Sequence, residues 1–576
     1  MKLASIQVRA ALLAASTVFA VQNGANAQKQ APSVQLEVSG GHLQVPVYNP
    51  DGREGQKAGN VRLGIFLGKD QVQNFNVTLP LEGEPYWMAT YPLEHFDLQG
   101  KTVTIKATAY PKVGRDGTTK LDPKAWEYAL GKIAVGDDFP EESASDYAQP
   151  YRNQFHATTR RGWIQDPNGM VYHNGIYHLY YQYNPFGIWP ANKHWGHWTS
   201  KDLIHWEEKP IVLFTDLKKG AAFSGGGFVD FNNSLGLGAN TLCAAYTATK
   251  LGECIVYSTD DGLTLKEIEQ NPVVKHEGRD PKVIWYEPEK KWVLMVYNLE
   301  EGVETKAVPT TDESKFRHSN MAFYESKDLR VWKRTGAFTD PDRMAVFECP
   351  EIFELGIEGE SGSRWILYGG QNRYFIGDFN GKTFVKESGP FGADSGPFDA
   401  PPYSAHGAFY AAQTFSDVPD GRRIQMGWLR AEIAYLKDFP NQMTSQAMSL
   451  PHELKLLRTA EGLRMAFVPV EEVKMLRAEK LGGLDGCKGE LTEVLIEFED
   501  DGPHEIMING IDASFEGRSA RIFNDRTFVE IYANGGLDYT VRARQPEAWG
   551  SEETAVKSGK VKSLEVYRLK SIWAGK

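Results

Sequence analysis

Cysteine, basic charge and long apolar runs are all scarce in this 576-residue chain. Four cysteines occur, at 243, 254, 349 and 487, too few to staple a chain of this length as a disulfide scaffold. Cys243 and Cys254 could face each other across a hairpin, but buried free thiols are the expectation. Lys and Arg number 63 against 75 Asp and Glu, a formal charge of −12 with no basic cluster, which argues against nucleic acid as a partner. No stretch reaches the ~20 apolar residues that a membrane helix needs. The longest, from Ala10 to Val21, follows Lys2 and Arg9 and precedes Ala25-Asn26-Ala27. That is the pattern of a secretory signal peptide, here residues 1–27 with cleavage after Ala27. An exported protein, periplasmic or extracellular and without a membrane span, is expected. No Cys/His cluster with metal-site spacing is visible, so no metal is expected.

What the chain does have is strand pattern and aromatic side chains, which make up 12% of residues. Its length suits two to four domains. Residues 28–140 read as short strands at Val34–Val38, Leu43–Val47, Val61–Phe66, Phe75–Leu79 and Val103–Ala107, punctuated by Gly, Asp and Pro. A β-sandwich-like accessory domain is expected there, with Asp137–Glu142 as a linker. From 150 to 458 the strands are richer in aromatics and Leu, as in Gly175–Gln182, Lys291–Tyr297 and Arg364–Gly370. Helical patterns are scarce in this part.

An internal repeat organises that middle region. Ser200-Lys201-Asp202-Leu203 precedes Trp206, and Ser326-Lys327-Asp328-Leu329 precedes Trp332. A weaker copy starts at Ser258, so the copies begin 58 and 68 residues apart. That interval accommodates one four-stranded sheet with its loops, and radial repetition of such sheets is a β-propeller, here of five blades. Residues 460–576 return to alternating strands, including Leu491–Phe498 and Thr527–Tyr532, and predict a C-terminal β-sandwich. The fold class is all-β.

Three acids stand out within the propeller region. In Trp163-Ile164-Gln165-Asp166-Pro167-Asn168-Gly169 the proline biases Asp166 to an extended conformation, and Asn168-Gly169 is expected to turn the chain at once. An ordinary Asp-Pro turn is the plain alternative for this motif alone. Arg279-Asp280-Pro281 repeats the device, and Glu348-Cys349-Pro350 sets a third acid one residue further from its proline. Each motif enters a strand. The inner strands of a propeller converge, so acids 68 to 182 residues apart in the chain can share one pocket.

Taken in this order, the three motifs resemble glycoside hydrolase family 32, the β-fructofuranosidases (invertases, inulinases, levanases). Tyr181–Pro185, His194-Trp195-Gly196-His197, Phe223-Ser224-Gly225, Phe409–Gln413 and Gly427-Trp428 support the resemblance, which runs from about 151 to 458 and on into the C-terminal domain. It implies a retaining glycosidase with Asp166 as nucleophile, Glu348 as acid/base and Asp280, beside Arg279, holding two fructose hydroxyls. Repulsion between close carboxylates should leave Glu348 protonated to higher pH than Asp166. Gln165, Gln182, Trp195, Phe223 and Ser224 match positions that serve the fructose pocket. The implied partner is a fructose-containing oligo- or polysaccharide, cleaved without a cofactor, and the added N-terminal domain resembles that of gut-type bacterial fructanases.

Three positions depart from the family pattern. Gln165 stands where Asn is usual and reaches one methylene further. Trp189-Pro190 stands where Trp-Gly is usual, and Ala408 occupies the place of an Asp. A fructosyltransferase on the same scaffold, a non-catalytic fructan-binding propeller and an inverting five-bladed arabinanase or xylosidase are the competing readings. The two proline-linked acid signatures disfavour the last. The sequence leaves open sucrose, inulin or levan as substrate, exo or endo action, and the oligomeric state.

Overall fold

The structure, a computed structural model, describes residues 32–48, 58–109, 123–137, 144–299, 319–340, 347–392, 408–431, 442–545 and 548–573. The signal sequence expected at 1–27 lies outside the described residues, as does all but Asp137 of the expected linker. The chain divides into two compact units: Met1–Pro46 with Gln56–Asp138, and Val47–Gly55 with Phe139–Lys576.

In the first unit, strands Ser33–Glu37, Thr102–Ala109, Ala58–Leu67 and Asp70–Pro80 form one antiparallel sheet. Strands Trp87–Pro92, His42–Val47 and Ala134–Gly136 form a second. Every second residue faces the core, as strand geometry requires: Val61, Leu63 and Ile65 are buried, as are Phe75, Val77, Leu79, Val103, Ile105 and Ala107. A helix, Pro123–Gly131, was not anticipated from the sequence. Its proline occupies the first turn, where a missing N–H costs nothing, and Trp126, Ala129 and Leu130 make one buried stripe.

Among the described residues of the second unit, five antiparallel sheets follow one another along the chain. The first runs Gly162–His173, Ile176–Asn184, His194–Ser200 and Glu207–Leu213; the second Gly227–Asp230, Thr241–Ala248, Gly252–Tyr257 and Lys266–Glu267. The third is Gly278–Tyr286, Lys291–Leu299, Ser319–Ser326 and Lys333–Phe338; the fourth Glu351–Gly356, Ser363–Tyr368, Arg373–Phe379 and Phe384–Gly392. Phe409–Thr414, Ile424–Leu429, His452–Thr459 and Gly462–Pro469 make the fifth.

Successive sheets pack face to face, which explains the near-continuous apolar strands. Leu242, Ala244 and Tyr246 pack with Val171, Tyr180 and Trp195 of the first sheet. The alternate residues Cys243 and Ala245 pack with Val283, Trp292 and Leu294 of the third. Val293, Met295 and Tyr297 then meet Ile352, Leu367 and Phe375 of the fourth. Each large side chain so buried is worth about 1.5–3 kcal/mol. This is a propeller-type stack. Cys243 and Cys254 are buried free thiols; they oppose Tyr257 and Tyr246, not each other.

The Ser-x-Asp repeat occupies the same turn of the first three sheets, between third and fourth strands. Asp202 Oδ1 accepts the amides of Ile204 (3.0 Å) and His205 (2.8 Å). Asp328 Oδ1 likewise accepts those of Arg330 and Val331, both at 2.9 Å. Asp260 Oδ1 accepts that of Thr264 at 2.9 Å. The residue after each Asp, namely Leu203, Asp261 or Leu329, is left-handed. The repeat is a turn former.

First strands meet their neighbours around a ring. Gly169 donates its amide to Gly225 O (2.8 Å), Gly226 to Pro281 O (2.9 Å), Ala411 to Gly370 O (2.7 Å) and Tyr172 to Ser416 O (2.9 Å). Lys282 and Glu351, both buried, pair at 2.9 Å between the third and fourth sheets. These approaches dictate the glycines: a Cβ on Gly225 would lie 1.9 Å from Ala245 O, and one on Gly227 2.3 Å from Gly169 O. Thr444-Ser445 closes the ring by pairing in parallel with Gly162-Trp163.

Beyond Pro469 a six-stranded sheet runs in the order Arg477–Leu481, Val561–Leu569, Thr492–Phe498, Ser519–Asn524, Phe528–Ala533, Asp538–Ala543. It grips the segment before the first sheet. Asp525 accepts the amides of Gln154, Phe155 and His156 at 2.8–3.0 Å. The His156 ring lies between Asp525 Oδ2 (2.9 Å) and Glu530 Oε1 (2.8 Å), all three side chains being fully buried.

Candidate active site

Asp166 lies within the single strand Gly162–His173. The turn expected at Asn168-Gly169 is corrected by the structure: the strand runs straight through. Register shifts against Ile176–Asn184 fall between Ile164 and Pro167 and between Asn168 and Val171. Pro167 has no amide to give the ladder and Gly169 takes φ +54°, so bulges absorb both. The first bulge, between Ile164 and Pro167, holds Gln165 and Asp166, and bulging re-aims the Asp166 side chain.

Asp280 sits on the first strand of the third sheet, at another register shift, between Arg279 and Lys282. Its φ is 68°, and Glu348 and Cys349, just ahead of the fourth sheet, have φ 37° and 42°. A non-glycine residue in this region costs on the order of 1–3 kcal/mol and persists only where its surroundings over-determine it. The surroundings of Asp280 are explicit. Its amide donates to Thr247 Oγ1 (2.8 Å), the Thr247 hydroxyl donates to Glu253 Oε2 (2.7 Å), and Glu253 Oε1 meets His276 Nε2 at 2.7 Å.

The three acids gather around Cys349. Its amide donates to Asp280 Oδ2 (3.0 Å), and its thiol lies 3.6 Å from that oxygen and 4.0 Å from Asp166 Oδ2. Glu348 is gripped from two sides. Arg279 donates to Oε2 from Nε (3.1 Å) and Nη2 (2.6 Å), and the Tyr410 hydroxyl donates to Oε1. Arg279 lies over the Tyr297 ring at 5.1 Å, so its fork is fixed before a ligand arrives.

Asp166 accepts from Ser224 Oγ at 2.7 Å. Oriented to satisfy its neighbours, the Asn168 carboxamide donates to that same Ser224 oxygen (3.2 Å) and accepts from Trp195 Nε1 (3.3 Å). Trp195 also reaches Phe223 O (3.1 Å), and Gln182 Nε2 donates to Ala222 O (2.8 Å). Trp195 and Gln182 are buried and back the pocket, while Phe223 is half-buried and Ser224 touches the acid directly. Gln165 Oε1 accepts from Lys193 Nζ, with Trp163 Nε1 3.4 Å away.

Burial pushes the Asp166 carboxyl above its ordinary range; Lys193 pulls it down and Glu348 pushes it up further. Burial also raises Asp280, against the pull of Arg279. Burial and the neighbouring Glu348 hold the Tyr410 hydroxyl protonated far above its usual value, so it stays a donor. Lys193, Asn168, Thr247 and Tyr410 were not singled out from the sequence. Tyr410 and Lys193 had the nearest signals, the one inside Phe409–Gln413 and the other directly before His194-Trp195-Gly196. Carboxyl groups held in different environments within one pocket are the equipment of glycoside cleavage.

Comparison with known proteins agrees with that chemistry. Residues 156–466 match the family described as Glycosyl hydrolases family 32 N-terminal domain. The chain is 32% identical over 522 residues to a levanase of Bacillus subtilis, covering 75% of this chain and 72% of that one. It is 31% identical over 364 residues to an extracellular exo-inulinase of Aspergillus niger and over 395 residues to an invertase of Schizosaccharomyces pombe. The chain spans 63% of the length of each of these two. Among solved structures, an exo-inulinase from Aspergillus awamori aligns with a TM-score of 0.60 at 23% identity, over 74% of this chain and all of that one. Fructan 1-exohydrolase IIa from Cichorium intybus aligns at 0.58 and 17% identity, over 73% of this chain and 98% of its own, a likeness of fold. The chain belongs to glycoside hydrolase family 32.

Proposed function

We propose that this protein is a retaining β-fructofuranosidase that cleaves fructans, sucrose or both through a covalent fructosyl-enzyme. The observation that carries the reading is the gathering of Asp166, Asp280 and Glu348 around Cys349 in a chain of this family. Asp166 attacks the anomeric carbon. Its bond from Ser224 leaves the second carboxylate oxygen for that attack. Glu348 protonates the departing oxygen and then takes a proton from water. Tyr410 suits both steps, because a hydroxyl that donates to the carboxylate can turn and accept from the carboxylic acid. Asp280, fixed by the Cys349 amide and by the Thr247 bond to its backbone, binds fructose hydroxyls and stabilises the oxocarbenium-like state.

The five sheets support a five-bladed propeller over 150–458, the six-stranded sheet a C-terminal β-sandwich over 460–576, and the two sheets of the first unit a β-sandwich-like domain over 28–140. The protein is exported after cleavage behind Ala27; an extracellular relative and the absence of a long apolar helix among the described residues agree with that. The test is fructose release from sucrose, inulin and levan by the wild type and by Asp166→Ala, each with a thermal melt. Wild type should release fructose from at least one substrate, and the folded variant from none. A folded variant with unchanged turnover would remove Asp166 from the mechanism. A wild type that binds fructan but releases nothing would make the chain a binding protein.

A further inference from the structure

Lys193 stands half-buried in the loop that leads into the third strand of the first sheet. Its ammonium donates to Gln165 Oε1, and Trp163 Nε1 approaches the same oxygen at 3.4 Å. With that oxygen engaged from two sides, the carboxamide is left to present its Nε2 donor. Gln165 and Asp166 share one bulge, so the same short stretch of backbone carries both side chains.

Asp166 stands among more acids than cations, and Lys193 is the cation that pulls its carboxyl down. Glu348 and Asp280 face it as further acids, with the Ser224 hydroxyl and the Cys349 thiol as neutral neighbours. Arg279 is shared between Glu348, to which it gives two donors, and Asp280 Oδ2 at 3.6 Å, and Arg430 lies over the Tyr410 ring at 4.4 Å. Burial lowers the Lys193 pKa on balance, while Asp166, Glu348 and Asp280 all pull it back up and favour the ammonium.

We propose that Lys193 is the positioning residue for the nucleophile: its ammonium keeps Asp166 an anion in the free enzyme and, through Gln165, sets the donor presented beside it. The inference rests on the reading of Asp166 as nucleophile. A cation beside an aspartate typically lowers its pKa by about 1–3 units. Removing this one therefore moves the acid limb of kcat/KM to higher pH, and each unit below the limb is about a tenfold loss of active form.

The experiment is the pH profile of kcat/KM on an activated aryl β-fructofuranoside, whose leaving group does not need the Glu348 proton. Wild type is compared with Lys193→Met, Lys193→Gln and Lys193→Arg, with melts for each. Lys193→Gln keeps a hydrogen-bond partner for Gln165 and guards against a Met variant that fails to fold. The acid limb should rise by about one pH unit in both neutral variants and stay near wild type in Lys193→Arg. A limb that stays put in the folded neutral variants overturns the proposal. So does a shift in Lys193→Arg, which decides alone if neither neutral variant folds. Full activity of Asp166→Ala would instead overturn the nucleophile reading, whatever the Lys193 variants do.

Discussion

Replacing His156 by Gln should destabilise the second unit by about 3–5 kcal/mol, the usual cost of leaving buried charges without their partner. The ring is sandwiched between Asp525 and Glu530, with no part of any of the three side chains exposed. Burial alone would depress the imidazolium. The hydrogen bonds and charges of the two acids outweigh it and push the pKa up from 6.5 to about 9. At about 1.4 kcal/mol per pK unit, that rise is worth about 3 kcal/mol, in line with the mutational scale. A raised histidine contributes in full below its unfolded pKa, and the contribution drains away as pH climbs through the folded value. The window is therefore roughly pH 6.5 to 9. Burial raises the two acids, but their bonds to His156 lower them on balance, so their share is lost instead as pH falls. Calorimetric melts of wild type and His156→Gln from pH 6 to 10 test this. The two should differ most near pH 6 to 7 and converge toward pH 10. Parallel curves across that range, or a loss under about 1 kcal/mol, would refute the reasoning.

Two further outcomes concern the chemistry. Glu348→Gln should slow fructosylation by about 10²–10⁴-fold on sucrose or fructan but far less on an activated fructoside; an equal loss on both, read as single-turnover rates, counts against Glu348 as the acid. Gln165→Asn shortens the reach to Lys193 by one methylene, and misplacement near 1 Å can lower kcat/KM by about 10²-fold. A rise on sucrose, inulin and levan alike would mean that the longer side chain does no positioning.

The proline-linked acids were visible in the sequence because proline interrupts a strand ladder without any tertiary information, and the structure has register shifts at both Asp-Pro pairs. Their approach to one another follows from the ring of sheets, which the Ser-x-Asp repeat announced through a turn that each of three sheets needs. Residues whose task arises only from what faces them left no such mark. Thr247 is one more small polar residue in an apolar strand until the amide of Asp280 is brought to it. Lys193 reads as a surface lysine until Gln165 turns toward it. Asn168-Gly169 carries a turn signature, yet the neighbouring strand keeps pairing on both sides of it, with Pro167 opposite Tyr181 and Val171 opposite His178. Local propensity gave way to the ladder. The helix Pro123–Gly131 was missed for a simpler reason: three buried residues on one face make too short a stripe to stand out among strands.

The grip of the C-terminal sheet on the segment before the first propeller sheet also sets an order of events during synthesis. Gln154 finds its acceptor, Asp525, 371 residues further along the chain, and His156 waits 374 residues for Glu530. The strand that carries Asp166 acquires its own last partner only when Thr444-Ser445 is made. Contacts this distant in sequence form slowly and last. A ribosome-bound chain can stack its early sheets one by one, but the sheet bearing Asp166 stays an open edge through most of translation. A product truncated before residue 525 would carry all three acids and still lack the lock on its own beginning. Appearance of activity along a series of stalled chains would therefore date closure of the ring, and should lag behind the synthesis of Glu348 by the whole of the C-terminal sheet.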